Sequence, residues 1–293
     1  MKILVLGSKG QLGRCLNDQL ENDVDTIIYT SREQIDVSAH EATENKILEI
    51  KPNVVINATG YTAVDKAEEE QEMAELINNL AVANIAHTCN KLNTLLVHVS
   101  TDYVFDGTSI KAYSEDDETN PLNIYGLTKL KGEMAVQSSG CRYIIIRTSW
   151  IFSEYGNNFL KTMLRLSSEC NEISVVGDQF GCPTYAQDIA KAIKKILYTN
   201  NVNLLSSSLY HYSGNQCVSW AEFSKEIFSE ALKLKVIKNI PDIVSIDSKK
   251  FSTLAKRPSY SALSSSKISY NLGIDASDFK PGIRSCLRAL KKI

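Results

Sequence analysis

The sequence predicts an α/β fold with a doubly wound, parallel, Rossmann-like sheet. Two observations lead to it: short apolar runs alternate with longer helical patterns, and a glycine-rich turn follows the first run. Runs of Val, Ile and Leu without alternating polar residues are typical of strands buried on both faces of a parallel sheet. The intervening helices make right-handed crossovers that cover both faces. The predicted strands are KILVLG (2–7), DTIIYT (25–30), NVVINA (53–58), TLLVHVS (94–100) and YIIIRTS (143–149).

Helical patterns between these strands cover residues 11–21, 38–50, 66–91 and 125–137. After Trp150 the alternation loosens, and the pattern predicts helices at 157–169, 184–198 and 219–233 and short strands at 173–177 and 209–214. This change indicates a smaller α/β C-terminal substrate domain, with the chain crossing between domains more than once. We predict a dinucleotide-binding domain formed by 1–150 plus roughly 184–214, and a substrate domain formed by 151–183 plus 215–293.

Composition excludes several function classes. The 293 residues carry a net charge of -2, which gives no electrostatic basis for binding nucleic acid or an anionic membrane. No run approaches the roughly 18 apolar residues of a membrane-spanning helix. The seven cysteines include no C-x-x-C pair and follow no secretory segment, so we expect reduced thiols in a cytoplasmic protein. The four histidines are widely spread, and we predict no metal site.

The segment GSKGQLG follows the first predicted strand and opens the first predicted helix. It carries Gly7, Gly10 and Gly13, with Gln11 and Leu12 between them. Glycines at this spacing allow a tight turn, a close backbone approach to a pyrophosphate and close packing of helix on strand. Backbone amides at a helix N-terminus then bind the anion. A dinucleotide cofactor is therefore predicted at this loop.

The end of the second strand bears on the choice of dinucleotide. An acidic residue there would bind a ribose 2'-hydroxyl and favour NADH, but the strand ends with Ser31 and Arg32. A guanidinium at this place pairs well with a 2'-phosphate, so we expect NADPH, with NADH as the alternative. The other interpretation of Arg32 is a solvent-facing side chain.

Tyr125 and Lys129 lie four positions apart in NIYGLTKLKGE, so both side chains project from one face of a predicted helix. A nearby ammonium lowers the pKa of a phenol towards the range useful for proton transfer. Roughly one such pair arises by chance among 13 tyrosines, so the pair by itself is equally compatible with two surface residues. Thr101 adds a hydroxyl at the carboxyl end of the fourth strand, where doubly wound folds bind ligands.

Together these residues resemble the catalytic set of the extended short-chain dehydrogenase/reductase superfamily, and most closely that of its nucleotide-sugar 4-keto reductases. The similar segments cover residues 1 to about 270 and are GSKGQLG, YTAVDKAE, VSTDYVFDG, PLNIYGLTKLKGE, RTSWIF, GNNFLKTML, DQFGCPT and KRPSYSAL. The resemblance implies NAD(P)H-dependent reduction of the 4-keto group of dTDP-4-dehydro-6-deoxy-L-mannose. It also implies a small-molecule nucleotide-sugar partner and a monomer or homodimer.

The same resemblance implies roles for individual residues. Tyr125 gives a proton to the keto oxygen, Lys129 binds the nicotinamide ribose and lowers the pKa of Tyr125, and Thr101 hydrogen-bonds the same oxygen. The remaining implied contacts are with adenine (Asp36, Val37), with the length of the dinucleotide (Ala58, Thr59, Gly60), with the sugar (Asp102, Tyr103, Trp150) and with the diphosphate (Arg257).

Other functions on this scaffold stay open to different degrees. A 4,6-dehydratase needs an extra carboxylate base. Dehydratases that resemble this chain carry Glu directly after the Asp that follows the threonine, but here Tyr103 follows Asp102. A dehydratase is therefore disfavoured. An epimerase, a reductase of another 4-keto sugar and a non-catalytic regulatory relative are the remaining alternatives. Some relatives are dimers bridged by a metal through carboxylates, but the final SCLRALKKI offers none, which supports the prediction of no metal.

Overall fold

The computed structural model describes residues 1–21, 25–198 and 207–291. It confirms the predicted α/β class, since a six-stranded parallel sheet lies between layers of helices. The predicted strands agree with the observed ones to within one or two residues in the first half of the chain. The strands of this sheet are Lys2–Leu6 (β1), Thr26–Thr30 (β2), Val54–Asn57 (β3), Leu95–Thr101 (β4), Arg142–Thr148 (β5) and, numbered after the short strands given below, Ser208–His211 (β10).

The order of the strands in the sheet is β10-β5-β4-β3-β1-β2, and every neighbouring pair is parallel. The chain moves outward from β1 to β2 and then returns to place β3 on the other side of β1. This reversal opens a crevice beyond the carboxyl ends of β1 and β3, where ligands bind in folds of this type. The glycine-rich loop after β1 and the residues after β3 both lie at this crevice, and the Ala58 amide donates to the Leu6 carbonyl oxygen at 3.1 Å.

Helices cover both faces of the sheet and build the C-terminal part of the chain. The helices predicted at 11–21, 38–50, 125–137, 157–169, 184–198 and 219–233 are observed to within two residues, whereas the sequence predicts none at 266–272 or 279–291. The observed helices are Gln11–Leu20 (α1), His40–Ile50 (α2), Val64–Glu69 (α3), Gln71–Glu75 (α4), Ala81–Leu92 (α5), Ile124–Ser138 (α6), Phe159–Glu169 (α7), Ala186–Tyr198 (α8), Trp220–Lys233 (α9), Ser266–Leu272 (α10) and Phe279–Lys291 (α11).

The prediction of one helix over 66–91 is wrong, because this segment breaks at Glu70 and contains a π-helical turn at Leu76–Leu80. The turn lies at a close contact with another helix. A Cβ atom on Gly132 of α6 would lie 2.2 Å from the Asn78 carbonyl oxygen, so the two helices touch backbone to backbone here. The widened turn also lets Asn78 accept from the Tyr61 amide at 2.8 Å through its side chain. Such turns inside helices often occur beside functional sites.

Three large apolar clusters and a smaller one at Val104, Phe105, Tyr113 and Leu263 form the interior of the described part of the chain. One face of the sheet packs on α1 and α8, and the other packs on α2 and α5. The third cluster joins α7, α9 and α11 to short strands. Those short strands, which pair outside the main sheet, are Ile151–Phe152 (β6), Glu172–Val176 (β7), Phe180–Gly181 (β8), Thr184–Tyr185 (β9), Val218–Ser219 (β11) and Asp242–Ile246 (β12).

Two segments from the second half of the chain join the first. Helix α8 packs on α1, and β10 extends the main sheet beside β5. Both lie in the segment that the sequence assigns to the dinucleotide-binding domain; the division into two domains stays a prediction.

Among the described residues, no helix has the length and apolar character needed to cross a membrane.

Candidate active site

A cavity of about 500 Å³ opens at the carboxyl ends of β1, β3 and β4. It brings together twelve of the residues that the sequence points to, from segments far apart in the chain. They are Gly10, Gln11, Leu12, Ala58, Thr59, Gly60, Thr101, Asp102, Tyr103, Tyr125, Lys129 and Trp150. The cavity therefore joins the glycine-rich loop to the predicted reacting groups.

The other two glycines of the glycine-rich loop, Gly7 and Gly13, determine the conformation of the loop. Gly7 has a φ of +82°, which side chains rarely adopt. A Cβ atom on Gly13 would lie 2.2 Å from the Gly7 carbonyl oxygen, so helix α1 packs against the turn more closely than any side chain permits. This close packing leaves the backbone at Gly10 and Gln11 facing the cavity, as binding of a pyrophosphate requires.

Four predicted cofactor residues lie beside this cavity and do not line it. They follow β2, whose Thr30 carbonyl oxygen accepts from the Gly7 and Ser8 amides at 3.0 and 2.9 Å. Arg32 is largely exposed and donates to Asp36 at 3.2 Å. The Ser31 hydroxyl is buried and donates to the Glu33 carboxylate, and Val37 is buried in the core. The guanidinium of Arg32 is thus available at the rim of the glycine-rich loop.

The start of helix α6 sets the position of Tyr125. The Asn123 side chain caps the helix by accepting from the Gly126 amide at 2.8 Å. A Cβ atom on Gly126 would lie 2.1 Å from the Tyr103 carbonyl oxygen, so the first turn presses directly on the loop after β4. Thr101, the last residue of β4, accepts from the Tyr103 amide of this loop at 3.2 Å and donates to Asp102 at 3.0 Å. Thr101 and Tyr125 therefore face one another in the cavity wall.

The expected lowering of the Tyr125 pKa is wrong for this structure. Desolvation raises the pKa of Tyr125 to about 12, and a hydrogen bond with Thr101 only partly offsets it. The physical reason is that Lys129 directs its ammonium elsewhere: Nζ donates to the Val99 carbonyl oxygen at 2.7 Å. A phenol with this pKa keeps its proton throughout the neutral range, as a proton donor must.

Lys129 is 5% exposed and lies against β4. Desolvation lowers its pKa to about 8, and the negative charge of Glu133 opposes the shift. Glu133 itself is held by Arg147 of β5 in a buried ion pair, with nitrogen–oxygen distances of 2.7 to 3.1 Å. His98 of β4 is also close to Lys129, with Nε2 3.5 Å from Nζ.

Three buried polar atoms in the cavity wall lack a hydrogen-bond partner among the described residues: Ser100 Oγ, Thr148 Oγ1 and Asp102 Oδ2. Buried polar groups are almost always paired, so atoms of this kind indicate where a polar ligand binds. Desolvation also raises the pKa of Asp102 to about 6, against hydrogen bonds from Ser261 and Thr101. The wall next to Thr101 is therefore prepared for a ligand with hydroxyl groups.

Two tryptophans form another wall. Trp150 follows β5 with a φ of +45°, an unusual conformation for a residue with a side chain. Its ring stacks on Trp220, with centroids 3.4 Å apart and 4° between the planes. Trp220 is a cavity residue that the sequence did not reveal, because nothing in SWAEF distinguishes a wall residue from a core aromatic.

Arg257 lies outside this cavity. Its guanidinium makes a two-pronged ion pair with Asp65, at 3.1 and 2.6 Å. It lines a second, apolar cavity of about 320 Å³, and Trp220 lines both cavities. The two cavities are thus neighbours that share Trp220 as a lining residue. Within the described part of the chain, no group of His, Cys, Asp and Glu is arranged to hold a metal ion.

Comparisons with known proteins agree with this site. A family model described as the RmlD substrate binding domain matches residues 1–292. A dTDP-4-dehydrorhamnose reductase of Aggregatibacter actinomycetemcomitans is 40% identical, over 100% of this chain and 98% of the relative. The crystal structure of a dTDP-4-dehydrorhamnose reductase from Clostridium acetobutylicum has a TM-score of 0.91 at 35% identity, and covers 99% of this chain and 100% of its own.

A second solved structure, of the dTDP-4-dehydrorhamnose reductase from Bacillus anthracis in complex with NADP, also has a TM-score of 0.91. It is 34% identical and covers 98% of this chain and 99% of its own. Family model and relatives alike extend over nearly the whole chain, so the likeness includes the cavity and both of its walls. The chain belongs to the dTDP-4-dehydrorhamnose reductase family of extended short-chain dehydrogenases/reductases.

Proposed function

We propose that this protein reduces the 4-keto group of dTDP-4-dehydro-6-deoxy-L-mannose to give dTDP-L-rhamnose, with NADPH as the hydride donor. One observation carries the proposal: Thr101, Tyr125 and Lys129 line the same cavity as the glycine-rich loop. Full-length relatives named dTDP-4-dehydrorhamnose reductase support the choice of substrate.

The loop after β1 fits a dinucleotide. Gly7 supplies the left-handed turn, and Gly13 lets helix α1 approach so closely that a Cβ atom would collide with the turn. NADPH, when bound, supplies the hydride for the reduction. Its pyrophosphate is proposed at Gly10, Gln11 and Leu12, and its nicotinamide half along Ala58, Thr59 and Gly60 towards Lys129.

The preference for NADPH rests on Arg32 and on one relative. The guanidinium of Arg32 lies at the end of β2, next to the loop, and pairs there only with Asp36 at 3.2 Å among the described residues. A 2'-phosphate would bind the guanidinium more strongly than a hydroxyl would. The Bacillus anthracis relative was solved with NADP. We place Asp36 and Val37 beside the adenine.

Tyr125 is proposed as the proton donor. Its raised pKa keeps the phenol protonated, so it can deliver a proton to the keto oxygen as negative charge develops there. Thr101 hydrogen-bonds the same oxygen and orients the carbonyl. Lys129 binds the ribose of the nicotinamide half, with Val99 fixing its amine in place.

Recognition of the sugar and its nucleotide is assigned to the far side of the cavity. Asp102, Tyr103 and Trp150 are proposed to contact the sugar, and the unpartnered Oδ2 of Asp102 is the clearest acceptor for a hydroxyl. Arg257 is proposed to bind the diphosphate in place of Asp65. The apolar cavity beyond Trp220 is then positioned for the base.

A dehydratase is disfavoured by the structure as well as by the sequence. Desolvation raises the pKa of Tyr103 far above neutral, and the negative charge of Asp102 adds to the shift. Tyr103 therefore stays protonated and cannot act as the second base that dehydration needs.

All seven cysteines are free, which supports the proposal that the protein works in the cytoplasm.

The direct test follows absorbance of the reduced nicotinamide. Purified protein is mixed with dTDP-4-dehydro-6-deoxy-L-mannose and either NADPH or NADH, with an identical mixture lacking the sugar as the control. We expect one equivalent of NADPH to be consumed for each sugar reduced, faster than NADH at equal concentration. An epimerase or a regulatory protein would leave the reduced cofactor unchanged, and that result would refute the proposal.

A further inference from the structure

Cys182 and Cys217 flank two short paired strands. Strands β8 and β11 run antiparallel, with Gly181 opposite Val218. Continued by one residue, this register sets Cys182 directly opposite Cys217. Directly opposite residues of such a pair have Cα atoms about 4.5 or 5.5 Å apart, and their side chains project from the same face. Both spacings lie within the range that a disulfide bond requires.

A backbone contact joins the same two segments on the other side of the cysteines. A Cβ atom on Gly214 would lie 2.3 Å from the Pro183 carbonyl oxygen, so no side chain separates the two segments here. The Cys182 carbonyl oxygen is fixed as well, because it accepts from the Ser149 hydroxyl at 2.8 Å. Cys182 and Cys217 therefore lie between two fixed contacts, and both line one cavity of about 610 Å³.

The two thiols differ in exposure and in acidity. Cys217 is exposed, whereas Cys182 is 4% exposed. A hydrogen bond from Cys182 lowers the pKa of Cys217, and one from Tyr260 adds to this effect, against desolvation and the negative charge of Glu222. The hydrogen bond to Cys217, together with desolvation, raises the pKa of Cys182. Cysteines that react with peroxides combine an exposed thiol of lowered pKa with a second thiol next to it.

We propose that Cys217 is a modification site for hydrogen peroxide, at which oxidation leads to a disulfide bond with Cys182. The Cys217 thiolate attacks one peroxide oxygen, so that a sulfur–oxygen bond forms, the oxygen–oxygen bond breaks, and the hydroxide that leaves takes up a proton to become water. The Cys182 sulfur then attacks the sulfenic acid of Cys217. A sulfur–sulfur bond forms, the sulfur–oxygen bond breaks, and a second water leaves with the Cys182 proton. The two thiols are oxidised by two electrons in total, the peroxide is reduced to two waters, and a thiol reductant reverses the change.

The proposed disulfide lies next to the tryptophan wall of the candidate active site. Successive strand residues point to opposite faces, so Cys182 projects away from Trp150, against which Gly181 packs. Cys217 lies three residues before Trp220, whose ring stacks on Trp150. A sulfur–sulfur bond is shorter than the contact between two thiols, so its formation draws the two segments together and changes the packing of both indoles.

The first test uses the unmodified protein and does not depend on how a variant folds. Reduced protein is treated with hydrogen peroxide, the remaining thiols are blocked with iodoacetamide, and peptide mass spectrometry locates any link. We expect a peptide pair that joins Cys182 to Cys217, has lost two hydrogen atoms and separates after treatment with dithiothreitol. Free thiols at both positions, or a link between other cysteines, would overturn the proposal.

Three variants then test where the oxidation begins. Cys217→Ser should form no disulfide, and in Cys182→Ser the reaction should stop at the sulfenic acid of Cys217, which dimedone traps. Cys170→Ser is the matched control, because Cys170 is the other exposed cysteine, and it should form the disulfide at the rate of the unmodified protein. If Cys170→Ser slowed the reaction as much as Cys217→Ser, the oxidation would not begin at Cys217 and the proposal would fail.

Tryptophan fluorescence gives a readout of the cavity wall that needs no substrate, since Trp150 and Trp220 are the two tryptophans of the chain. We expect the emission to change on oxidation, to recover with dithiothreitol and to stay constant in Cys217→Ser under the same treatment. Unchanged emission in the oxidised protein, or an equal change in the variant, would refute the effect on the wall. None of these measurements involves turnover, so a failure of the proposed reduction would be recognised separately.

Discussion

Gly181 packs directly against the ring of Trp150, so closely that a Cβ atom at this position would lie 2.4 Å from the indole. The same ring stacks on Trp220, with centroids 3.4 Å apart. Trp150 thus contacts both a glycine of one short strand and an indole at the start of α9. The position of this cavity wall depends on the absence of a side chain at residue 181.

Gly181→Ala should therefore displace Trp150 and weaken sugar binding. We expect KM for the nucleotide sugar to rise about tenfold, equivalent to ~1.4 kcal/mol, with the affinity for NADPH unchanged. Steady-state kinetics and cofactor titration by fluorescence would measure the two effects. An equal loss of both affinities would show that Gly181 affects folding and not the wall.

Tyr125→Phe removes the proposed proton donor and leaves the ring in place. We expect kcat to fall by about 10² or more, because no group is left to protonate the developing alkoxide. Affinity for NADPH should stay nearly the same, which equilibrium binding would check. Retained turnover in this variant would exclude Tyr125 as the acid.

Arg257 and Asp65 form an ion pair, and substitutions of the two residues should have different effects on KM for the nucleotide sugar. Arg257→Gln should raise KM for the nucleotide sugar about tenfold through the loss of a phosphate-binding fork. Asp65→Asn removes the competing carboxylate and keeps the guanidinium, so KM should stay the same or fall. If both substitutions raised KM equally, the ion pair would have only a structural role.

Breaking the buried ion pair between Glu133 and Arg147 should strongly lower the stability of the protein. Glu133→Gln leaves the guanidinium of Arg147 buried without a counter-charge, and should lower the free energy of unfolding by about 3 kcal/mol. Glu49→Gln breaks an exposed pair with Lys46 and is the matched control, with an expected change below about 0.5 kcal/mol. Urea denaturation would measure both, and similar values would contradict the account.

The raised pKa of Asp102 should make the free energy of unfolding depend on pH. Its pKa is raised to about 6, so between its ordinary pKa and this value the folded state binds more protons than the unfolded state. This group therefore adds stability as the pH falls below 6, and costs stability at pH 7. Asp102→Asn should be more stable than the unmodified protein by about 3 kcal/mol at pH 7, with the gain shrinking towards pH 4. A gain independent of pH would rule out this titration.

The sequence predicts the main sheet because its strands are continuous apolar runs, a pattern set by burial on both faces. It does not predict the π-helical turn at Leu76–Leu80, since that turn depends on a contact with Gly132 more than fifty residues away. Local periodicity carries no information about such a contact.

In the candidate site, too, local features are predictable from the sequence and contacts between distant segments are not. The glycine-rich loop and the spacing of Tyr125 and Lys129 are local features, and the structure brings them to one cavity. The stacking partner of Trp150 and the pairing of Arg257 with Asp65 join distant segments, so no local pattern reveals them. The sequence predicts the wrong direction for the pKa of Tyr125, because desolvation depends on the folded surroundings.

The central claim is that a hydride from NADPH reaches C4 of the sugar while Tyr125 supplies the proton. The most direct measurement uses NADPH carrying deuterium at nicotinamide C4, prepared separately in each stereochemical form, and locates the label in the product by NMR. The account predicts deuterium at C4 of dTDP-L-rhamnose from one of the two forms. Product without deuterium from either form, or deuterium at another carbon, would contradict it.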